Sequence, residues 1–224
     1  MLATLLVVMI ATVLLTGWAL WPSFRSYSIR HSVLADNGPG FWWPKSWHAD
    51  FDVIQALVTT IKEERGVGMD GAQCKVNPRI VEDCAKGVKE VHCEATAVPL
   101  LIDLLQDKRQ TTAARMLVVL AIGELGPKAS DAVPALIAVL QDSADDVPAY
   151  RRLPIEERTK VEISQGAVLR YFTAYALGTM GEAARPAVPA LEKGSSDPDS
   201  LVGELALRTL KRMDAPQKPP RAAE

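Results

Sequence analysis

The phrase "AVPLLIDLLQDK" at residues 97–108 returns almost unchanged as "AVPALIAVLQDS" at 132–143, and "AVPAL" stands a third time at 187–191. Nothing else in the chain limits its fold as tightly. Pro99 and Pro134 each follow Ala-Val; then come Leu101 and Leu136, Ile102 and Ile137, Leu105 and Leu140, and finally Gln106-Asp107 and Gln141-Asp142. Proline in a first turn starts a helix at no hydrogen-bond cost, and apolar positions one turn apart then give that helix a single buried face. Each phrase predicts the first helix of a hairpin.

The second helices share a pattern too. "ARMLVVLAIGELG", Ala114 to Gly126, matches "LRYFTAYALGTMG", Leu169 to Gly181, which sets Arg115 against Arg170, Gly123 against Gly178 and Gly126 against Gly181. Pro99 and Gly126 are 27 positions apart but Pro134 and Gly181 are 47, so the second unit holds a 20-residue insertion at about 144–163. Without it the period is 35 residues, the length of a helical hairpin that buries its apolar side only by stacking on neighbours. Pro189 opens a third unit whose second helix is "LVGELALRTLKRM", with Gly203 where the others have arginine. Before these units, Val53, Ile54, Leu57, Val58 and Ile61 form one stripe of "DFDVIQALVTTIKEERG", closed by Gly66. After a loop rich in Gly and polar residues, Asn77-Pro78 starts a short helix toward Gly87.

These units resemble the HEAT repeat, specifically the short bacterial variety similar to phycobilisome-lyase HEAT-like repeats, from about Ala95 to Met213. The resemblance implies an all-α solenoid of about three hairpins plus a degenerate N-terminal helix pair, used for binding proteins. It gives Pro99, Pro134, Pro189, Gly126, Gly181, Arg115 and Arg170 structural parts, and it raises a lyase-like reading in which a groove holds a tetrapyrrole. The chain departs from the family at the places one and five residues after the arginine, which face water in typical units. Here they are Met116 and Leu120, then Tyr171 and Tyr175, then Glu204 and Arg208, with Arg212 one turn on. Residues at i and i+4 share a helix face, so stacking these helices predicts an apolar, aromatic patch bordered by arginine, a composition that suits a protein partner. Tyr150 and Arg151 of the insertion are further candidate contacts, unless the insertion merely extends the next helix.

The N-terminus predicts a different environment. Leu2 to Trp21 is twenty residues without an ionisable side chain, long enough as a helix to span a ~30 Å hydrocarbon core. No basic region precedes it and no small-residue cleavage site follows, so it reads as an uncleaved anchor rather than a signal peptide. Trp18 and Trp21 would mark its end, and Trp42, Trp43 and Trp47 either lie at the headgroup layer or cap the first soluble helices. The expected organisation is an anchor at 1–21, an aromatic-rich linker at 22–50 and a capping helix pair at 51–94. Repeats follow at 95–213, then a disordered tail at 214–224.

Composition removes several functions. Lys and Arg number 25 against 27 Asp and Glu, leaving no basic excess for nucleic acid. His31, His48 and His92 lie outside the repeats, and no nucleophile elbow or phosphate loop is present, so neither enzyme chemistry nor a cofactor is expected. Cys74, Cys84 and Cys93 fit no common zinc spacing and suggest one disulfide with a thiol left over, which places the domain on the exported side of a membrane. Arg25 and Arg30 after the span argue for the cytoplasmic side. The reading is a single-pass membrane scaffold that stabilises or assembles a membrane protein complex, or else an adaptor recruiting soluble partners.

Overall fold

Two features of the sequence, proline-led apolar stripes and glycine-ended second helices, become a stack of hairpins. The computed structural model of the chain describes residues 28–29, 32–33, 45–63, 67–70, 73–76, 78–142 and 165–214. The predicted terminal pair is present as α1 (Lys45–Lys62) and α2 (Pro78–Glu90). Helix α1 begins six residues ahead of Phe51, and its stripe of Ile54, Leu57, Val58 and Ile61 is buried. The loop expected between the two helices instead carries an antiparallel hairpin, β1 (Val67–Asp70) paired with β2 (Gln73–Val76), in which Val67 faces Val76 and Asp70 faces Gln73. Four-residue strands are too short for alternation to be read from sequence.

The repeats are helical throughout their described residues. They comprise α3 (Glu94–Gln106), α4 (Thr112–Leu125), α5 (Val133–Gln141), α6 (Gln165–Met180), α7 (Val188–Gly194) and α8 (Ser200–Asp214). Pro134 and Pro189 lie in the first turns of α5 and α7, as the phrase predicts. Pro99 does not: it sits inside α3, which starts five residues earlier at Glu94. The difference lies in what precedes the proline. Gly126–Ala132 and Gly181–Ala187 form tight 3-10 helices leading into α5 and α7, whereas residues 94–98 are already continuous α-helix.

Helices α2, α4, α6 and α8 lie side by side in one layer, while α3, α5 and α7 form the layer behind. Helix α4 sits in the middle, packed on α2 and α6, and Ala114 through Gly123 are all buried. The close approach of α4 to α6 depends on Gly123, where a Cβ would stand 3.0 Å from the Ala176 Cβ and 3.1 Å from its Cα. Thr179 uses the same contact to donate its hydroxyl to the Gly123 carbonyl at 2.8 Å. Three residues later the chain must leave the helix with a positive φ, supplied by Gly126 (62°) and, in the next unit, Gly181 (58°). In the terminal pair the same exit is made by His92, at φ 56°. Helix α8 is the last element among the described residues. Its inward Val202, Ala206 and Thr209 are buried, while Glu204, Arg208, Lys211 and Arg212 face water, the polar outer side that a last repeat needs.

These placements rank three substitutions. Gly123→Ala overpacks the α4–α6 contact and lowers stability by roughly 1–3 kcal/mol. Gly126→Ala puts a Cβ on left-handed backbone and costs about 1–2 kcal/mol, whereas His92→Gly removes one and raises the urea midpoint. Urea unfolding monitored by circular dichroism checks the order.

Candidate functional site

The rigid frame of any surface on this stack is a series of side chains that bind from one unit to the next. Arg170 in α6 is the strongest case. Its Nε donates to Asp197 Oδ2 at 2.8 Å and its Nη2 to Oδ1 at 3.1 Å, with the two side chains only 4% and 8% exposed. Its Nη1 reaches back to the Asp142 carbonyl at 3.5 Å, at the end of α5. Arg115 in α4 is buried as well and donates its Nε to the Leu105 carbonyl at 3.2 Å, at the end of α3. The arginines thus fasten second helices to the ends of first helices. Lys89 donates to the Glu124 carbonyl and carboxylate at 2.9 and 3.0 Å, and Lys128 pairs with Glu94, adding ties between successive units along the stack.

Asp197 was not singled out in the sequence, although it stands ten residues after Ala187 as Asp107 follows Ala97 and Asp142 follows Ala132. The three aspartates therefore occupy one position of the repeat, obscured in the third unit because Ser196 replaces glutamine. Asp142 pairs with Lys108. Asp107, in the first of these units, is held locally by the Arg109 side chain at 2.9 and 3.2 Å, by Gln110 and by the Arg109 backbone N–H. The Arg109 guanidinium, followed by those two other donors, holds the Asp107 carboxyl well below the usual carboxylate range.

On this frame the outward face of each second helix has a different character. In α6 it is Val168, Tyr171, Phe172 and Tyr175, spaced so that all four share one side of the helix, with Thr179 at its edge turned to α4. Tyr175 is 51% exposed, and Tyr171, half-buried, meets Phe172 edge to face with ring centroids 5.7 Å apart. In α8 the matching positions are Leu201, Glu204, Leu205, Arg208 and Arg212; Glu204 and Arg208 form an exposed ion pair at 3.1 Å. In α2 the corresponding face is charged and exposed: Arg79, Glu82, Asp83, Lys86 and Glu90.

Helix α4 corrects the sequence reading. Met116 and Leu120, expected on the open surface, are 1% and 8% exposed and belong to the main core. Helices α1 and α2 both pack against α4, and Ile29 and Val33, fully buried, join the same hydrophobic cluster. Apolar side chains on a second-helix face are thus covered at the centre of the stack and open farther along it. The exposed part of the candidate surface consists of Tyr171, Tyr175, Leu201, Arg208 and Arg212. Tyr150 and Arg151 lie outside the described residues, as do Trp18, Trp21, Trp42 and Trp43, and Trp47 enters only as backbone in the first turn of α1.

The chemistry of the remaining candidates is quiet. Cys84 and Cys93 are free thiols, so the expected disulfide does not join that pair, and the Cys74 side chain lies outside the described residues. Among the described residues no cluster of His, Cys, Asp and Glu could hold a metal ion, and no helix is long and apolar enough to cross a membrane. The apolar run from Leu2 to Trp21 lies outside them.

Asp197→Ala leaves the Arg170 guanidinium buried without its carboxylate and should cost roughly 3–5 kcal/mol by urea unfolding. Asp107 behaves differently with pH. Because its folded pKa is depressed, its stabilisation is present above the unfolded value near pH ~4 and disappears as pH falls through the folded one. The stability deficit of Asp107→Asn should therefore be full at pH 7 and shrink below about pH 4, which thermal unfolding across that range measures.

Residues 114–142, which run from inside the first turn of α4 through the following 3-10 helix and α5, match the family model of the PBS lyase HEAT-like repeat. No curated protein and no solved structure matches the chain. The family match and the stacked hairpins together support a HEAT-like repeat protein.

Proposed function

We propose that the chain is a membrane-anchored scaffold that binds another membrane-associated protein through the outward face of α6 and the neighbouring side of α8, and so stabilises or assembles a membrane complex. One observation carries this reading: α6 presents Tyr171 and Tyr175 beside Phe172 and Val168 where the equivalent face of α4 is covered and that of α2 is charged. Tyrosine and arginine contribute most per residue to protein interfaces, tyrosine through large area at little conformational cost. Tyr175 on α6, with Arg208 and Arg212 on the adjacent α8, supplies that pair of chemistries on a stack tied together by buried bonds. HEAT-like repeats suit a binding role, since their repeated residues serve stacking and leave the helix faces free to vary.

The anchor belongs to the same proposal. The charge-free run from Leu2 to Trp21 has the length and composition of a single transmembrane helix. An anchor confines the scaffold to the bilayer and raises its effective concentration toward partners there, without any added contact. No catalytic step is assigned to the chain.

Two measurements test the reading. The full chain, isolated from detergent-solubilised membranes, should recover integral membrane subunits at fixed stoichiometry. Tyr171→Ser combined with Tyr175→Ser should reduce that recovery at least tenfold while leaving the circular dichroism spectrum and melting temperature nearly unchanged, since both side chains keep some exposure. Equal recovery with the double variant removes this face from consideration. Removal of residues 1–21 should move the protein from the carbonate-resistant membrane pellet to the supernatant, and protease accessibility on intact spheroplasts assigns the side.

A further inference from the structure

A groove lies at the other end of the stack, between α1 and α2. Its volume is about 590 Å³, and Asp52, Ala56, Thr60, Ile80, Asp83 and Cys84 contribute to its walls. That volume holds a few residues of peptide rather than a large ligand. The groove's uncharged polar side chains lie along α1: the Thr60 hydroxyl donates to the Ala56 carbonyl at 2.8 Å and lies 3.6 Å from the Cys84 sulfur, and Gln55 donates its Nε2 to the Thr59 hydroxyl at 3.5 Å. Beside them the lining offers an apolar strip at Ala56 and Ile80, where Ile80 leaves a large hydrophobic side chain 37% exposed.

The rim has one sign of charge. Asp52 and Asp83 are the ionisable carboxylates of the lining, and neither has an ion-pair partner among the described residues. Basic residues of α2, Arg79 and Lys86, are exposed but do not line the groove. An apolar strip beside two carboxylates that have no ion-pair partner among the described residues is complementary to an apolar side chain flanked by cations. It disfavours acidic peptides and anionic headgroups, because like charges meeting across an interface are repelled.

The geometry points to a docking groove for a short basic segment of a partner protein, with one aliphatic side chain seated against Ala56, Ile80 and Cys84 and arginine or lysine on either side reaching Asp52 and Asp83. This site is separate from the face of α6, and its failure would leave the role of Tyr171 and Tyr175 untouched.

The test uses the full chain in a neutral detergent and two fluorescein-labelled peptides, each with a central leucine and glycine spacers. One is flanked by arginines, the other by glutamates. The arginine peptide should give a saturable rise in anisotropy that weakens with salt, and the glutamate peptide should not. Asp52→Asn with Asp83→Asn, isosteric at exposed positions, should weaken the arginine peptide by about fivefold. Saturating arginine peptide should also slow alkylation of Cys84 by N-ethylmaleimide, read by peptide mapping. Equal binding of the two peptides, undiminished binding to the double variant, absence of binding, or unchanged alkylation of Cys84 each overturns the proposal.

Discussion

The close seating of α4 against its neighbours is the contact on which the rest of the structure depends. A single hairpin of this kind exposes too much apolar surface to be stable alone, so its fold exists only as part of a stack. Helix α4 is where that requirement is met most fully, with α2 on one side and α6 on the other and hardly an atom left in water. Gly123 makes it possible by removing the one carbon that would hold α6 away. Each burial then supports the next: the buried arginines can afford to leave water because the hairpin ends bring backbone carbonyls and a carboxylate to meet them.

Function on such a frame follows from what the stacking does not use. The same helical position carries charge in α2, core in α4, aromatic rings in α6 and charge again in α8. Stacking imposes no constraint at the exposed positions of that face, Tyr175, Arg208 and Arg212, so their composition reports another demand. The covered stretch over α4 and the open stretch over α6 divide a surface that would otherwise be uniformly apolar, and the division concentrates the exposed aromatic area at one place. The groove between α1 and α2 lies on a different part of the molecule and is lined by carboxylates, where the α6–α8 face offers tyrosine and arginine.

Much of this was legible in the sequence because repetition averages out local ambiguity. The hairpins, the glycine exits and the paired arginines could be aligned with one another, and each alignment tested the rest. Features without a second copy were harder to read. The short β-hairpin had too few residues for alternation to register, and Pro99 looked like a helix start because Pro134 and Pro189 are such starts. Met116 and Leu120 were misplaced for a physical reason: a face pattern tells which residues point away from the stack, not whether another part of the chain lies across them. Ile29 and Val33, far away in sequence, carry no periodic signal that would have revealed their place in that core. Asp197 was hidden by a changed neighbour even though its spacing was intact.

The buried arginine of α6 gives the stack a direction. It reaches forward into the following unit for its carboxylate, so this hairpin depends on the one after it, whereas Arg115 turns back to the end of its own first helix. In the third hairpin Gly203 stands in place of arginine, with the Ser195 carbonyl 3.0 Å from where its Cβ would be. Units of this chain are consequently not interchangeable parts. Setting the Arg170 hairpin where no aspartate follows it would strand a cation in the interior, and the joint at Gly203 has no room for a side chain of that kind, so the order of these hairpins is written into the residues at their joints.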